Sequence, residues 1–117
     1  MAITPLVIAD DGNVAITVDA MKVDSQGDPG YIVSITNRTS DRVYAYSDVG
    51  WTMNGADVDD AVLRTTVDPG QTVEEFMWFD HRNIGSSSLD VLEDVEGAIV
   101  IEDFGTSAVI GEYAFAA

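Results

Sequence analysis

Apolar and polar residues alternate along much of this chain, in short runs that turn residues separate. In the runs 14–18 and 31–35, every second residue is apolar. A period of two is typical of half-buried β-strands, and no stretch shows the longer period of an amphipathic helix. The pattern predicts an all-β protein: an Ig-like antiparallel β-sandwich of about seven to eight strands, in a single domain over residues 1–117.

Turn signals divide the first two thirds of the chain into strands. Asp10-Asp11-Gly12-Asn13 and Asp68-Pro69-Gly70-Gln71 combine the residues that tight turns favour. A slip in the alternation after Ala20 indicates a β-bulge. The stretch 43–53 predicts a long strand that turns at Asn54-Gly55, a favoured hairpin dipeptide, although a longer loop after it is an alternative.

The last third of the chain is less regular. The run 73–79 contains Phe76-Met77-Trp78-Phe79, which is apolar on both faces and predicts a central strand, followed by a loop over 81–88. Residues 89–96 fit either a strand or a short helical turn. The runs 98–101 and 108–115 flank a turn and predict a terminal hairpin.

The charge balance limits the partners of this chain. It has 21 Asp and Glu against 5 Lys and Arg, a formal net charge of −16, and no cysteine. Nucleic acids and anionic membranes bind through many Lys and Arg side chains, so neither is an expected partner. A cationic partner, such as calcium, a polyamine or a basic protein patch, stays open. The simplest interpretation is a solvated acidic surface, and a halophile's cytosolic protein would show the same balance.

The chain has no feature that would insert this domain into a membrane. No run approaches the ~20 apolar residues of a membrane-spanning helix. The start, Met1 to Pro5, lacks the basic and apolar regions of a signal peptide. If the protein is exported, we expect a signal upstream of Ala2.

Four segments carry a family resemblance. They are Ile35 to Ser40, Val43 to Gly55, Asp68 to Thr72 and Val95 to Asp103. With them the chain resembles the Ig-like β-sandwich domains of exported bacterial proteins, many of them lipoproteins of unknown function. The resemblance implies export, cell-surface anchoring and a binding or scaffolding role, and it supplies no catalytic residues.

Catalytic motifs are scarce in this sequence. His81 is the only histidine, its neighbours suggest an exposed loop, and neither a catalytic cysteine nor a Gly-x-Ser-x-Gly elbow is present. Two carboxylates at the right separation support glycoside hydrolysis, but in so acidic a chain some pair always fits. We therefore expect no enzyme and no cofactor, with a hydrolase as a distant third function.

Two candidate sites remain. Asp57, Asp59 and Asp60 form the densest acidic loop and would supply oxygen ligands to calcium, although their spacing is not that of an EF-hand. Tyr44 and Tyr46 share one strand face, where outward rings would suit a sugar or a protein surface. For Trp78 we expect a place in the core.

The sequence thus favours a non-enzymatic, extracellular or cell-surface module that binds or presents a protein or glycan through an exposed aromatic sheet face. The alternative function is a calcium-stabilised structural spacer.

Overall fold

The computed structural model describes residues 5–117, and its all-β sandwich of two antiparallel sheets confirms the predicted fold class. Residues 1–4, which include most of the start without signal-peptide features, lie outside the described range. The described residues form ten strands and one short helix: β1 Leu6–Asp10, β2 Val14–Val23, β3 Pro29–Asn37, β4 Val43–Ser47, β5 Thr52–Met53, β6 Ala56–Asp57, β7 Arg64–Val67, β8 Thr72–Trp78, α1 His81–Ile84, β9 Val95–Asp103 and β10 Val109–Ala116.

The first sheet has the order β1-β2-β3-β8. Its first turn forms as predicted, because the Asp11 carboxylate accepts the backbone N–H groups of Asn13 and Val14. The pairing of β2 with β3 shifts between Val18 and Ala20, which confirms the bulge and leaves Asp19 as its extra residue.

The second sheet has the order β7-β4-β9-β10, and the β5–β6 hairpin lies beside the start of β9. The long strand predicted over 43–53 is wrong, because the chain leaves the sheet after β4 and returns at β5. Gly50 takes a φ of 90° in this break, and Trp51 turns into the core. Asn54 and Gly55 both have positive φ and join β5 to β6 by the predicted two-residue hairpin turn.

The connections between the sheets give the sandwich its Ig-like character. Lettered in chain order, β2, β3, β4, β7, β8, β9 and β10 take the places of strands A, B, C, C′, E, F and G. A, B and E then share one sheet, and C′, C, F and G share the other, as in Ig-like domains. The strand count exceeds the prediction because the break after β4 creates two short strands, β5 and β6.

The core lies between the sheets and contains the buried aromatic rings of Tyr31, Trp51, Phe79 and Phe115. Trp51 packs against Phe79 and Phe115, with ring centroids 5.8 and 5.2 Å apart, and Phe115 also contacts Tyr31. The core position expected for Trp78 is wrong: it is half-buried on the outer face, while Met77 and Phe79 point inward.

The strand β8 is an edge strand, which corrects the prediction that the run 73–79 is central. The apolar residues at the end of β8 are explained by a cover over that end of the strand rather than by a central place in the sheet. Val62 and Trp78 exchange backbone hydrogen bonds of 2.8 and 3.2 Å, so the end of β8 is covered by the segment that leads into β7. This contact closes one corner of the sandwich.

Two short helical elements follow β8. The loop predicted over 81–88 begins with α1, which the Asp80 side chain caps by accepting the Arg82 backbone N–H and which Gly85 ends with a φ of 70°. Of the two alternatives for 89–96, the helical turn is observed at Leu89–Val91, and β9 begins at Val95. The predicted terminal hairpin is confirmed as β9 and β10.

Candidate functional site

Tyr44 and Tyr46 point outward from β4, on the face of the second sheet that faces away from the core. Alternation explains this position, since Val43 and Ala45, which alternate with the two tyrosines along the strand, are fully buried. The two rings stack with centroids 5.4 Å apart and planes inclined by 29°. The sequence placed both tyrosines on one face, and the structure brings them together as a single half-buried aromatic surface.

Neighbouring strands fix what surrounds the two rings. Arg64 of β7 lies opposite Tyr46, and Glu102 of β9 lies opposite Tyr44. Glu112 of β10 lies opposite Val100, one strand further across the same outer surface. We call this surface, defined by Tyr44, Tyr46, Arg64, Glu102 and Glu112, the tyrosine face.

An open recess of about 490 Å³ lies over the tyrosine face. Both tyrosines and Glu102 line it on one side. The segment that leads into β7 lines the other side, with Asp60, the half-exposed Val62 and Arg64. The recess is therefore part aromatic, part aliphatic and part charged, a composition that suits a ligand surface.

A hydrogen bond fixes one ring of the tyrosine face. The Tyr46 hydroxyl donates to Oε2 of Glu102 at 2.6 Å. This bond to a carboxylate, with the negative charges around it, raises the pKa of Tyr46 to about 12. Tyr46 is thus held as a neutral donor at physiological pH, in one orientation.

Two acids meet at the edge of the same surface. Asp48 follows β4 and shares the parity of the two tyrosines, and Glu112 of β10 is the group that most perturbs its titration. The contact lowers the pKa of Asp48 and raises that of Glu112, since a proton on Glu112 bonds to the Asp48 carboxylate.

The structure does not gather Asp57, Asp59 and Asp60 around one point. Within residues 5–117, their carboxylates do not form a group with ligand atoms within 4.8 Å of one another. The Asp60 side chain instead accepts the Gly50 backbone N–H at 2.8 Å and supports the break after β4. The calcium site stays a prediction, and this geometry adds no support to it.

The described residues contain one cluster that the sequence did not suggest. Asp28, Asp80 and His81 place one potential metal-ligand atom each within 4.8 Å of one another. They meet because β3 begins where the antiparallel β8 ends, with Gly30 opposite Trp78. In the sequence, Asp28 directly precedes β3 and Asp80 follows β8. Only the pairing of these two strands brings the acids together, and the sequence pattern does not give that pairing.

The donors of this cluster already have partners within the protein. Asp28 is buried and accepts from the His81 backbone N–H at 3.0 Å and from the ring Nδ1 at 2.7 Å. The bond from the His81 backbone is the main cause of the lowered pKa of Asp28. Asp80 caps α1 and holds the Arg82 guanidinium through both oxygens. The cluster fastens α1 to the end of the sandwich, and His81 is half-buried rather than in an exposed loop.

A histidine that pairs with an aspartate also occurs in the Ser-His-Asp triad of hydrolases, so a serine beside His81 would bear on catalysis. Ser87 lies beside His81, and both flank Gly27: a Cβ on this glycine would stand 2.9 Å from the Ser87 Oγ and 3.9 Å from the His81 Cγ. Among the hydrogen bonds of residues 5–117, none joins Ser87 to His81. The nucleophile–base contact of a triad is not formed here.

Comparisons of this chain with protein-family models, with curated proteins and with solved structures find no match. In residues 5–117 no helix has the length and apolar character needed to cross a membrane.

Proposed function

We propose that this chain is a non-enzymatic binding module that contacts a protein or glycan through the tyrosine face. The observation that carries the proposal is the stacked pair of Tyr44 and Tyr46 beneath an open recess of about 490 Å³. Aromatic rings that are half-buried and rigid supply contact area at little cost in side-chain entropy. The hydrogen bond from Tyr46 to Glu102 adds to this order.

A binding role is favoured over catalysis by the state of the ionisable groups in the recess. Glu102 is engaged by Tyr46, and Asp60 is engaged by the backbone of Gly50. The only histidine of the chain lies at α1 and does not line the recess. General acid–base chemistry needs a group free to exchange a proton with the substrate.

We also propose that the module acts outside the cell or anchored at the cell surface, as in exported bacterial lipoproteins. The support is the resemblance to Ig-like domains of such proteins. A chain with a net charge of −16 and no cysteine is compatible with that setting. Sequencing the gene upstream of Ala2 checks this part, and the absence of any export signal there would contradict it.

The proposed face is tested by binding to glycan and peptide arrays. We expect ligands of the wild-type protein to be lost when both rings are removed in Tyr44→Ser/Tyr46→Ser. The matched control is Phe76→Ser, which removes an outward, half-buried ring from the first sheet. Thermal melts establish that both variants fold. Ligands that bind Tyr44→Ser/Tyr46→Ser as well as wild type, and lose affinity for Phe76→Ser, would overturn the proposed face.

A further inference from the structure

The recess over the tyrosine face continues toward the turn between β9 and β10. A second recess of about 280 Å³ is lined by Tyr44, Glu102, Asp103, Phe104 and Ser107. It shares Tyr44 and Glu102 with the first recess, so the two meet at these side chains. Together they form one groove that passes Tyr46, Tyr44 and the exposed ring of Phe104.

The charges along this groove are mostly negative. Asp60 and Glu102 line the first recess, Glu102 also lines the second, and Glu112 lies on the neighbouring strand β10. Asp103 extends the acidic lining toward Phe104. Arg64 is the basic side chain of the lining, so acids outnumber bases along the groove. Such a surface attracts a positively charged ligand and repels an acidic one.

The molecule already binds one guanidinium of its own at the end of this groove. The Arg42 guanidinium carbon lies 5.5 Å from the centroid of the Phe104 ring, and Nε donates to Asp68 at 2.7 Å. An aromatic ring beside a carboxylate is thus a cation site in this fold. Tyr44 and Tyr46 beside Glu102 repeat that combination, and no Lys or Arg within residues 5–117 lies over either tyrosine ring.

We infer that the groove binds an extended basic segment of a partner protein, with Arg or Lys side chains over the stacked Tyr44 and Tyr46 rings and against Glu102 and Glu112. This inference rests on the proposed function and names its ligand class. The contacts combine cation–π attraction over the two rings with ion pairs to the two glutamates.

Charge complementarity favours a basic peptide over a glycan. A neutral sugar would stack on the tyrosines but would gain nothing from the carboxylates around them. An acidic glycan would be repelled by the same carboxylates. The open form of the groove also suits an extended chain, which passes several side chains in succession.

The test is calorimetric titration with a capped octapeptide of alternating Arg and Gly. Titrations at about 0.15 M salt screen the long-range attraction of the net charge, since the Debye length is then about 8 Å. An octapeptide of alternating Glu and Gly is the charge control, and hexamers of glucose and of N-acetylglucosamine are the glycan probes. We expect binding of the Arg peptide and of neither control class.

Variants locate the binding. Removing the rings in Tyr44→Ser/Tyr46→Ser raises the Kd for the Arg peptide about tenfold, since each exposed cation–π contact strengthens binding several-fold. Glu102→Gln/Glu112→Gln weakens it about fivefold or more. The matched control, Glu74→Gln/Glu93→Gln, removes the same charge from exposed residues away from the groove and changes the Kd by less than about twofold.

Several outcomes would overturn the inference or the proposed face. Equal weakening by both pairs of Glu→Gln substitutions would mean attraction by net charge alone and would overturn the inference, as would no binding of the Arg peptide at all. If a sugar hexamer binds and needs the tyrosines while the Arg peptide does not bind, the basic-segment inference fails and the proposed face stands. If the Arg peptide binds Tyr44→Ser/Tyr46→Ser as well as wild type, the face itself is wrong for this ligand.

Discussion

The Tyr46 hydroxyl on β4 donates a 2.6 Å hydrogen bond to Glu102 on β9, and this bond joins two strands of the surface proposed to bind a partner. It keeps one ring of the stacked pair in place and keeps the carboxylate beside that ring. The groove is therefore ordered before any ligand arrives, which lowers the entropic cost of binding.

The first prediction concerns the titration of Tyr46. Its pKa is raised to about 12, chiefly by the hydrogen bond to Glu102, so Glu102→Gln moves it down toward the ordinary value near 10. Because the folded pKa is the higher one, the contact stabilises the fold below pH ~10, and that stabilisation is lost as pH rises toward 12. Phenolate absorbance against pH measures the shift, with Tyr46→Phe identifying the curve of Tyr46. Identical curves for wild type and Glu102→Gln would contradict the assignment.

The second prediction concerns Tyr31, whose ring is buried at 2% exposure against Phe115. Its hydroxyl has no hydrogen-bond partner among residues 5–117, and burial raises its pKa to about 12. Removing an unsatisfied buried hydroxyl in Tyr31→Phe should increase the free energy of unfolding by about 1 kcal/mol. The comparison is Tyr113→Phe, which loses a bond to Asp11 and should lower stability slightly. Urea denaturation measures both, and a loss of stability in Tyr31→Phe would mean that the hydroxyl has a partner.

The third prediction concerns the contact between Gly97 and Trp51. A Cβ at Gly97 would stand 2.1 Å from a ring carbon of the fully buried Trp51, so Gly97→Ala should cost about 3 kcal/mol of unfolding free energy or more. The control is Gly12→Ala, where a Cβ meets nothing within 4 Å and the expected change is within about 0.5 kcal/mol. Similar denaturation midpoints for the two variants would show that Trp51 is not packed against β9.

The fourth prediction concerns calcium. Because Asp57, Asp59 and Asp60 are not gathered around one point, thermal melts in EDTA, calcium and magnesium at fixed ionic strength should coincide. A site filled at 100 times its Kd would add about 2.7 kcal/mol and raise the midpoint by several degrees. A rise specific to calcium that disappears in Asp57→Asn/Asp59→Asn would revive the structural-spacer function.

Local chemistry was sufficient to predict much of the first sheet and the hairpin turns. The alternation in β2 and β3 predicts their buried faces, and Asn54-Gly55 predicts a turn with two positive φ angles. The break after β4 was not predictable in this way. Trp51 has the apolar character of a strand residue, yet its indole N–H donates to the Asp48 carbonyl at 2.8 Å and its ring fills the core.

The candidate sites likewise combine features that the sequence predicts with features that depend on the fold. The parity of Tyr44 and Tyr46 follows from their spacing alone. The contact of Asp28 with His81 joins residues 53 positions apart, and it depends on the pairing of β3 with β8. The acids around the tyrosine face come from two strands, β9 and β10, and from the loops after β4 and before β7, so their convergence is a property of the fold.

The binding surface is tested most directly by a map of backbone amide shifts by NMR as a bound ligand from the arrays, or the Arg peptide, is added. We expect the largest shifts on the second sheet, at residues 44–48, 64–66 and 100–104. The first sheet carries a rival aromatic surface, since Phe76 and Trp78 also point outward. Shifts confined to β3 and β8 would contradict the central claim and would move the binding surface to the opposite side of the sandwich.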